Sequence, residues 1–241
     1  SSVPIYNNPL WTINEQDNPN EVERFIINPE FVYQLLPSTT ITARYGLDFY
    51  TDDRENFFPT FSSVQNPSGF FRQEELKEKK ENFNVFAQTN HSISDNFSLN
   101  AIAGFTFDRN QFSRLSASSV DFTNPFVDEL RVFGNATAGN ETPTKFISET
   151  RKSAVYGVVS SEIFNQVLLE ATGRYERSST LESNVFYPSA AIGWQFSEAI
   201  LANDILSFGK LRLAYGEVGI EPQAYLSNNT FEAGGVLASF G

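Results

Sequence analysis

Apolar and polar residues alternate with a period of two along most of this chain. Gln166–Ser178 shows it most clearly. Val167, Leu169, Ala171, Gly173 and Tyr175 fall on one side, and Leu168, Glu170, Thr172, Arg174 and Glu176 on the other, because successive side chains of a strand point to opposite faces. The same alternation predicts strands over Glu21–Leu36, Thr40–Thr51, Glu81–Ile93, Asn96–Asn110, Arg151–Phe164, Val185–Ser197 and Lys210–Gly219. Phe25, Ile41, Tyr45, Val85, His91, Leu99, Ala101, Val159, Ala190 and Ile192 share the apolar rows. Pro29 interrupts the first strand, where it removes a ladder donor and predicts a bulge or bend. Before these strands, Tyr6–Ile13 predicts a short strand in an Asn- and Pro-rich start. Ser197–Phe208 predicts one or two helical turns, and the tail after Gly234 a further weak strand.

The connections alternate in length. Breaks near residues 37, 95 and 165 are short, whereas 52–80 and 111–150 are long. The charge run Arg72–Glu81 (RQEELKEKKE) falls in the first long connection and predicts a solvated loop or a helical turn. Short turns at one rim and long loops at the other are the habit of outer-membrane barrels. Aromatic spacing points the same way. Phe97 and Phe107, like Phe186 and Phe196, are ten residues apart. That rises about 33 Å along a strand, or roughly 25 Å of height at a tilt near 40°, which matches an apolar band with an aromatic girdle at each edge. Predicted strands of 10 residues or more also exceed the roughly 5–6 usual in soluble sandwiches. The reading is all-β: an antiparallel transmembrane β-barrel, present here as a partial wall of about eight to ten strands. A soluble sheet with one wet face, binding carbohydrate, stays open beside it.

Composition narrows the function classes. The 241 residues carry 29 acidic and 17 basic groups, a net charge of −12, which disfavours nucleic acid, whose phosphates need Lys and Arg clusters. Without cysteine there is neither disulfide nor thiolate metal site. No run of 18 apolar residues predicts a membrane-spanning helix, which leaves strand-built spans untouched. The chain contains no methionine, and Ser1-Ser2-Val3 begins no signal peptide, so a processed or partial chain is expected.

Chemistry is sparse. His91 is the single histidine, which rules out a two-histidine metal site, and alternation puts it on the apolar face. Asp52-Asp53 could ligate calcium in a loop, but the pair reads first as a solvated turn. No spacing singles out a carboxylate pair for glycoside hydrolysis, and there is no Walker A or Rossmann glycine pattern. No enzyme activity and no cofactor is expected. Trp11 could stack on a sugar ring or serve packing. Arg44, Asp48, Gln88, Asn100, Arg174 and Glu176 form the polar row expected to line a lumen.

Several ordered pieces resemble one family. They are Leu169-Glu170-Ala171-Thr172-Gly173-Arg174, Ser178-Ser179, Tyr187-Pro188-Ser189-Ala190-Ala191-Ile192-Gly193-Trp194 and Leu211-Arg212-Leu213-Ala214-Tyr215-Gly216 with Gly219. Upstream, Asn8-Pro9-Leu10-Trp11 and Ala43-Arg44-Tyr45-Gly46-Leu47-Asp48-Phe49-Tyr50 fit the same set. Together they resemble the mid-barrel of SusC/RagA-type TonB-dependent transporters of Bacteroidetes. The resemblance implies a plugged barrel of about 22 strands in the bacterial outer membrane. It also implies import of glycans or peptides, a SusD-like lipoprotein lid and energy from the TonB complex. Residues 1–241 would be part of the barrel domain, with no plug domain or TonB box in the chain. A non-transporting barrel subunit, serving as a scaffold in an outer-membrane assembly, is the alternative within the same fold.

Overall fold

The computed structural model describes residues 7–16, 18–62, 68–124, 131–137, 139–197 and 208–225. The expected turns at 197–208 and the tail after Gly234 lie largely or wholly outside them. The described chain holds nine strands: β1 Asn20–Ile27, β2 Glu30–Leu36, β3 Thr39–Phe58, β4 Phe70–Ser94, β5 Phe97–Val120, β6 Glu141–Ile163, β7 Val167–Ser178, β8 Val185–Trp194 and β9 Leu211–Gly216. They form one sheet in the order β1-β3-β4-β5-β6-β7-β8-β9, with β2 also on β3. Among the described residues nothing joins β9 to β1 or β2, so the sheet is an open part of a barrel wall.

Turns at 37–38, 95–96 and 164–166 link strands at one end, and the connections 59–69, 121–140 and 179–184 at the other, as the alternation of lengths predicts. At the third turn Phe164 and Asn165 both take positive φ, 54° and 57°, a left-handed conformation that asparagine tolerates better than most residues.

Pro29 splits the first predicted strand into β1 and β2, but it makes no bulge. Ile27 pairs with Leu47 and Glu30 with Arg44, so the register is unchanged across the gap. The Pro29 carbonyl still accepts from the Tyr45 N–H at 3.1 Å; only the donor that proline lacks is lost. The register shift lies instead between Gln34 and Leu36.

Two expectations are corrected. Pro9–Glu15 is a short helix, not a strand, with Asn8 as its N-cap: its Oδ1 accepts from the Leu10 N–H at 2.9 Å, and Pro9 sits in the first turn. The long connections are also much shorter than expected, because β3, β4, β5 and β6 run 20 to 25 residues. The charge run Arg72–Glu81 is neither loop nor helix but part of β4. Its charges meet at i, i+2 on the same face: Glu75 with Lys77 at 2.8 Å, Lys79 with Glu81 at 3.0 Å, and Glu78 with Lys80 at 3.1 Å. These exposed pairs add little energy, and ladder pairing with the flanking strands overrides the poor strand propensity of Glu and Lys.

The chain divides into two compact units. One comprises Ser1–Pro29, Tyr45–Glu81 and Arg109–Glu149; the other comprises Glu30–Arg44, Asn82–Asp108 and Thr150–Gly241. The first holds a small aromatic cluster at the ends of β3 to β6. Phe57 and Phe122 stack at 6.0 Å, Phe71 lies 5.1 Å from Phe133, and the Arg131 guanidinium sits 5.1 Å over Phe57. Gly69 takes φ +91°, and a side chain there would collide with the Phe122 ring. We predict that Gly69→Val costs about 1–2 kcal/mol for the backbone conformation alone and frees the loop. Faster limited proteolysis next to Gly69, with the rest of the protein intact, would show it; an unchanged cleavage rate would contradict it.

The second unit holds the long rows of outward apolar residues. Among the described residues the buried apolar side chains are Phe57, Pro59, Phe71, Ala136 and Ala154, and four of them belong to the first unit. The sheet therefore has almost no core of its own. On β6 to β9 one face presents Val155, Val159, Leu169, Tyr175, Phe186, Ile192, Leu213 and Tyr215, all exposed and matched across strands by register.

Candidate functional site

The opposite face of the sheet is polar, and cross-strand register decides which side chains meet there. Tyr156 pairs with Arg174 and Ala154 with Glu176, so these residues share that face, as Tyr187 and Val185 of β8 do. Of the six predicted row residues, the fold brings two directly together. Arg174 reaches Glu176 at 2.7 Å through Nη2 and donates to Thr106 Oγ1 at 3.4 Å. Lys152 lies 3.6 Å from Glu176 and 2.6 Å from Glu221, and the Ser178 hydroxyl donates to Glu221 at 3.3 Å. Glu176 is only 5% exposed, and Arg174 and Lys152 together compensate it and Glu221.

The other four row residues are dispersed. Arg44 bonds Glu30 on β2 and lies 5.4 Å over the Phe86 ring. Asn100 donates to Asn90. Gln88 is half-buried on β4. Asp48 belongs to the other unit, where it takes a two-pronged bond from Arg24 at 2.6 and 2.8 Å. The arrangement can hydrate and hydrogen-bond polar solutes along its length, but it assembles no catalytic constellation.

Sequence reasoning missed several members of the face. Tyr156 donates to Asn84 at 3.1 Å and lies across Gly104, where a side chain would come within 2.8 Å of Phe86 Cβ. Asn82 bonds Asp108. Period two places each of these on the polar face, yet no local spacing marks them, because their partners lie on neighbouring strands. We predict that Glu176→Ala, which leaves Arg174 without its counter-charge while Lys152 keeps Glu221, destabilises the whole protein by about 1.5–3 kcal/mol. Denaturant unfolding in detergent micelles would measure this, and an unchanged midpoint would contradict it.

The remaining candidates resolve individually. His91 lies on the apolar face as expected, 2.8 Å from the Thr89 hydroxyl. Asp52 and Asp53 are consecutive strand residues, so they face opposite sides and cannot share a calcium ion. Asp52 instead pairs with Arg54 at 2.5 Å, and the hydrogen bond from that guanidinium holds its carboxyl below the usual range. Glu81 is likewise held low, first by its bond from Lys79. No group of three or more His, Cys, Asp or Glu side chains among the described residues could hold a metal. Trp11 sits half-buried in the N-terminal helix.

Comparison with known proteins decides the family. The model of the TonB dependent receptor-like β-barrel matches residues 4–240. The chain belongs to this family. Among curated relatives it is 24% identical over 223 residues to TonB-dependent receptor P39 of Formosa agariphila, covering 89% of this chain and 21% of that protein. It is also 24% identical over 149 residues to TonB-dependent receptor P3 of the same organism, covering 56% of this chain and 15% of that one. The RagAB peptide transporter structure superposes with a TM-score of 0.77 at 17% identity, over 86% of this chain and 24% of the other. The RagAB peptide importer in its open-open state gives 0.77 and in its closed-closed state 0.76. The chain thus spans about a quarter or less of the length of each of these proteins.

Proposed function

We propose that residues 1–241 form one stretch of the barrel domain of an outer-membrane nutrient importer, and that the polar face lines its lumen. The observation that carries this reading is the two-sided sheet. One face presents apolar side chains that nothing among the described residues covers, while the other holds paired charges and amides. A soluble carbohydrate-binding sheet would need a covered core, and the five buried apolar side chains among the described residues do not make one. Lipid on the outer face and water on the inner one satisfy both surfaces at once.

In the whole protein we assign substrate recognition to a SusD-like lipoprotein lid and energy to the TonB complex, with glycans or peptides as cargo. Arg44, Asp48, Gln88, Asn100, Arg174 and Glu176 then act as a hydrated wall along which cargo passes. Deleting the whole gene should abolish growth on one class of polymer, glycan or protein hydrolysate, with import lost equally when TonB is removed. Undiminished uptake of both labelled oligosaccharides and oligopeptides in the deletion strain would overturn import and favour a non-transporting barrel subunit.

A further inference from the structure

We propose that the corner of the polar face formed by Lys152 and Ser178 is a carboxylate-binding site for passing cargo, and that Glu221 holds it closed as an internal stand-in. The sequence explains why Glu221 is there. β9 pairs with β8 only as far as Gly216 with Ser189. The next rung is Pro188, whose carbonyl accepts from the Glu217 N–H at 3.1 Å but which has no N–H to return. The chain leaves the ladder at that point. Gly219 then passes over Tyr187, so closely that a side chain there would come within 2.7 Å of the Tyr187 hydroxyl, and Tyr187 lies on the polar face opposite Arg174. Residues 217–221 therefore form a strap across that face, from the end of β9 to Lys152 of β6 and Ser178 at the end of β7.

The strap is held at its far end by one carboxylate. Glu221 reaches the Lys152 ammonium at 2.6 Å and accepts from the Ser178 hydroxyl at 3.3 Å. Ser178 is itself oriented, since its oxygen accepts from the Thr180 N–H at 3.3 Å. Among the described residues, the backbone of 218–221 makes no hydrogen bond, and Val218 and Ile220 are 95% and 99% exposed. Glu176, by contrast, is fixed within β7 and bound by Arg174, and Asp108, the other acid near Lys152, is tied to Asn82. Of the acids around Lys152, only Glu221 is free to leave. A carboxylate from cargo can take its place with the charge balance unchanged, because the ammonium and the oriented hydroxyl stay behind to bind it. A neutral group cannot, since lifting Glu221 without a replacement leaves Lys152 only the longer contact to Glu176, at 3.6 Å. The uronic acid of a glycan and the C-terminus of a peptide both supply the required group.

The inference rests on the lumen-wall reading above. The test uses the whole protein in dodecyl maltoside micelles, with trigalacturonate against galactotriose and trialanine against its C-terminal amide. A spin label on Val218→Cys reports the strap, residues 1–241 having no cysteine of their own. At least one acid should bind more tightly than its neutral counterpart and mobilise the label; the acid that does so names the source. Glu221→Gln should tighten that binding about tenfold, the gain from removing a closed state populated about 90% of the time. Adding Lys152→Gln should take that gain away, a loss of about tenfold, whereas adding Lys152→Arg should keep it. The strap is free in all three, so loosening alone predicts one affinity for them all. Should the Glu221→Gln, Lys152→Gln variant fail to fold, Glu221→Gln with Ser178→Ala decides, with about a threefold loss expected relative to Glu221→Gln. Glu217→Gln, on the strap but bonded to Tyr215, should change nothing. The inference is overturned by affinity that Glu221→Gln leaves unchanged, or by a label that stays fixed when the acid binds. A wild type found in the outer membrane but with no preference for either acid fails this inference alone. A wild type recovered outside the membrane fails the barrel reading.

Discussion

Replacing Ala190 by arginine will cost the folded whole protein about 2–4 kcal/mol, while the same replacement at the next residue, Ala191, will cost much less. The two alanines are adjacent in β8 and differ only in the face they occupy. Ala190 pairs with Ala171 and Tyr215, in a row with Leu169, Ile192 and Leu213. That row is midway between the aromatic Tyr175–Phe186 pair and Trp194, whose ring meets Phe196 at 5.9 Å. A guanidinium at Ala190 would sit near the centre of the hydrocarbon, where no water or counter-ion reaches it without deforming the bilayer. Ala191 pairs with Glu170 and Ala214 on the polar face, so an arginine there gains a carboxylate neighbour and stays hydrated. Propensity, strand position and added volume are the same in both variants, so a difference in stability isolates the environment. Denaturant titration in lipid vesicles measures it. Equal penalties would mean that the apolar face does not meet lipid.

That prediction depends on a feature legible in the sequence, the period-two alternation that assigned Ala171, Ala190 and Ile192 to one face and Arg174 and Glu176 to the other. Within the band the alternation is strong because lipid and water impose opposite demands on neighbouring residues. Beyond the band both faces are wet, and the signal disappears. Arg72–Glu81 has no apolar row, so nothing in its pattern distinguishes a strand from a solvated loop; only pairing with β3 and β5 makes it a strand. The aromatic cluster of Phe57, Phe71, Phe122 and Phe133 was hidden for a related reason. Its members are scattered through Pro-, Ser- and Asn-rich segments and meet only after the strands have extended.

The polar face was half legible. Parity gave the side on which each residue lies, but partners depend on register. Arg174 and Glu176 are two residues apart and could be paired by inspection, whereas Arg24 with Asp48 and Tyr156 with Asn84 required the alignment of separate strands.

Expressed without the rest of the protein, residues 1–241 will not give a monodisperse folded barrel. The sheet ends at β1 and β2 on one side and at β9 on the other, with no described strand closing it. In β9, Leu211, Leu213 and Tyr215 are 64–72% exposed, and the edge away from β8 offers its backbone groups to no described partner. In water such an edge, flanked by an uncovered apolar face, recruits other chains. In a bilayer each unsatisfied backbone group costs several kcal/mol, so a few of them outweigh the roughly 5–15 kcal/mol that holds a typical domain folded. Curling the nine strands until β1 meets β9 would relieve the edge but bring charged side chains such as Arg44, Arg174 and Lys152 into a narrow interior. Their present partners, Glu30, Glu176 and Glu221, are set by the open register, and unpaired buried charge is costly. Aggregates on gel filtration in detergent are therefore expected, with no heat-dependent shift in electrophoretic mobility, whereas the whole protein should show both a single peak and the shift. A monomeric, heat-modifiable species from residues 1–241 alone would show that the sheet closes on itself and that the lumen is not built from further strands.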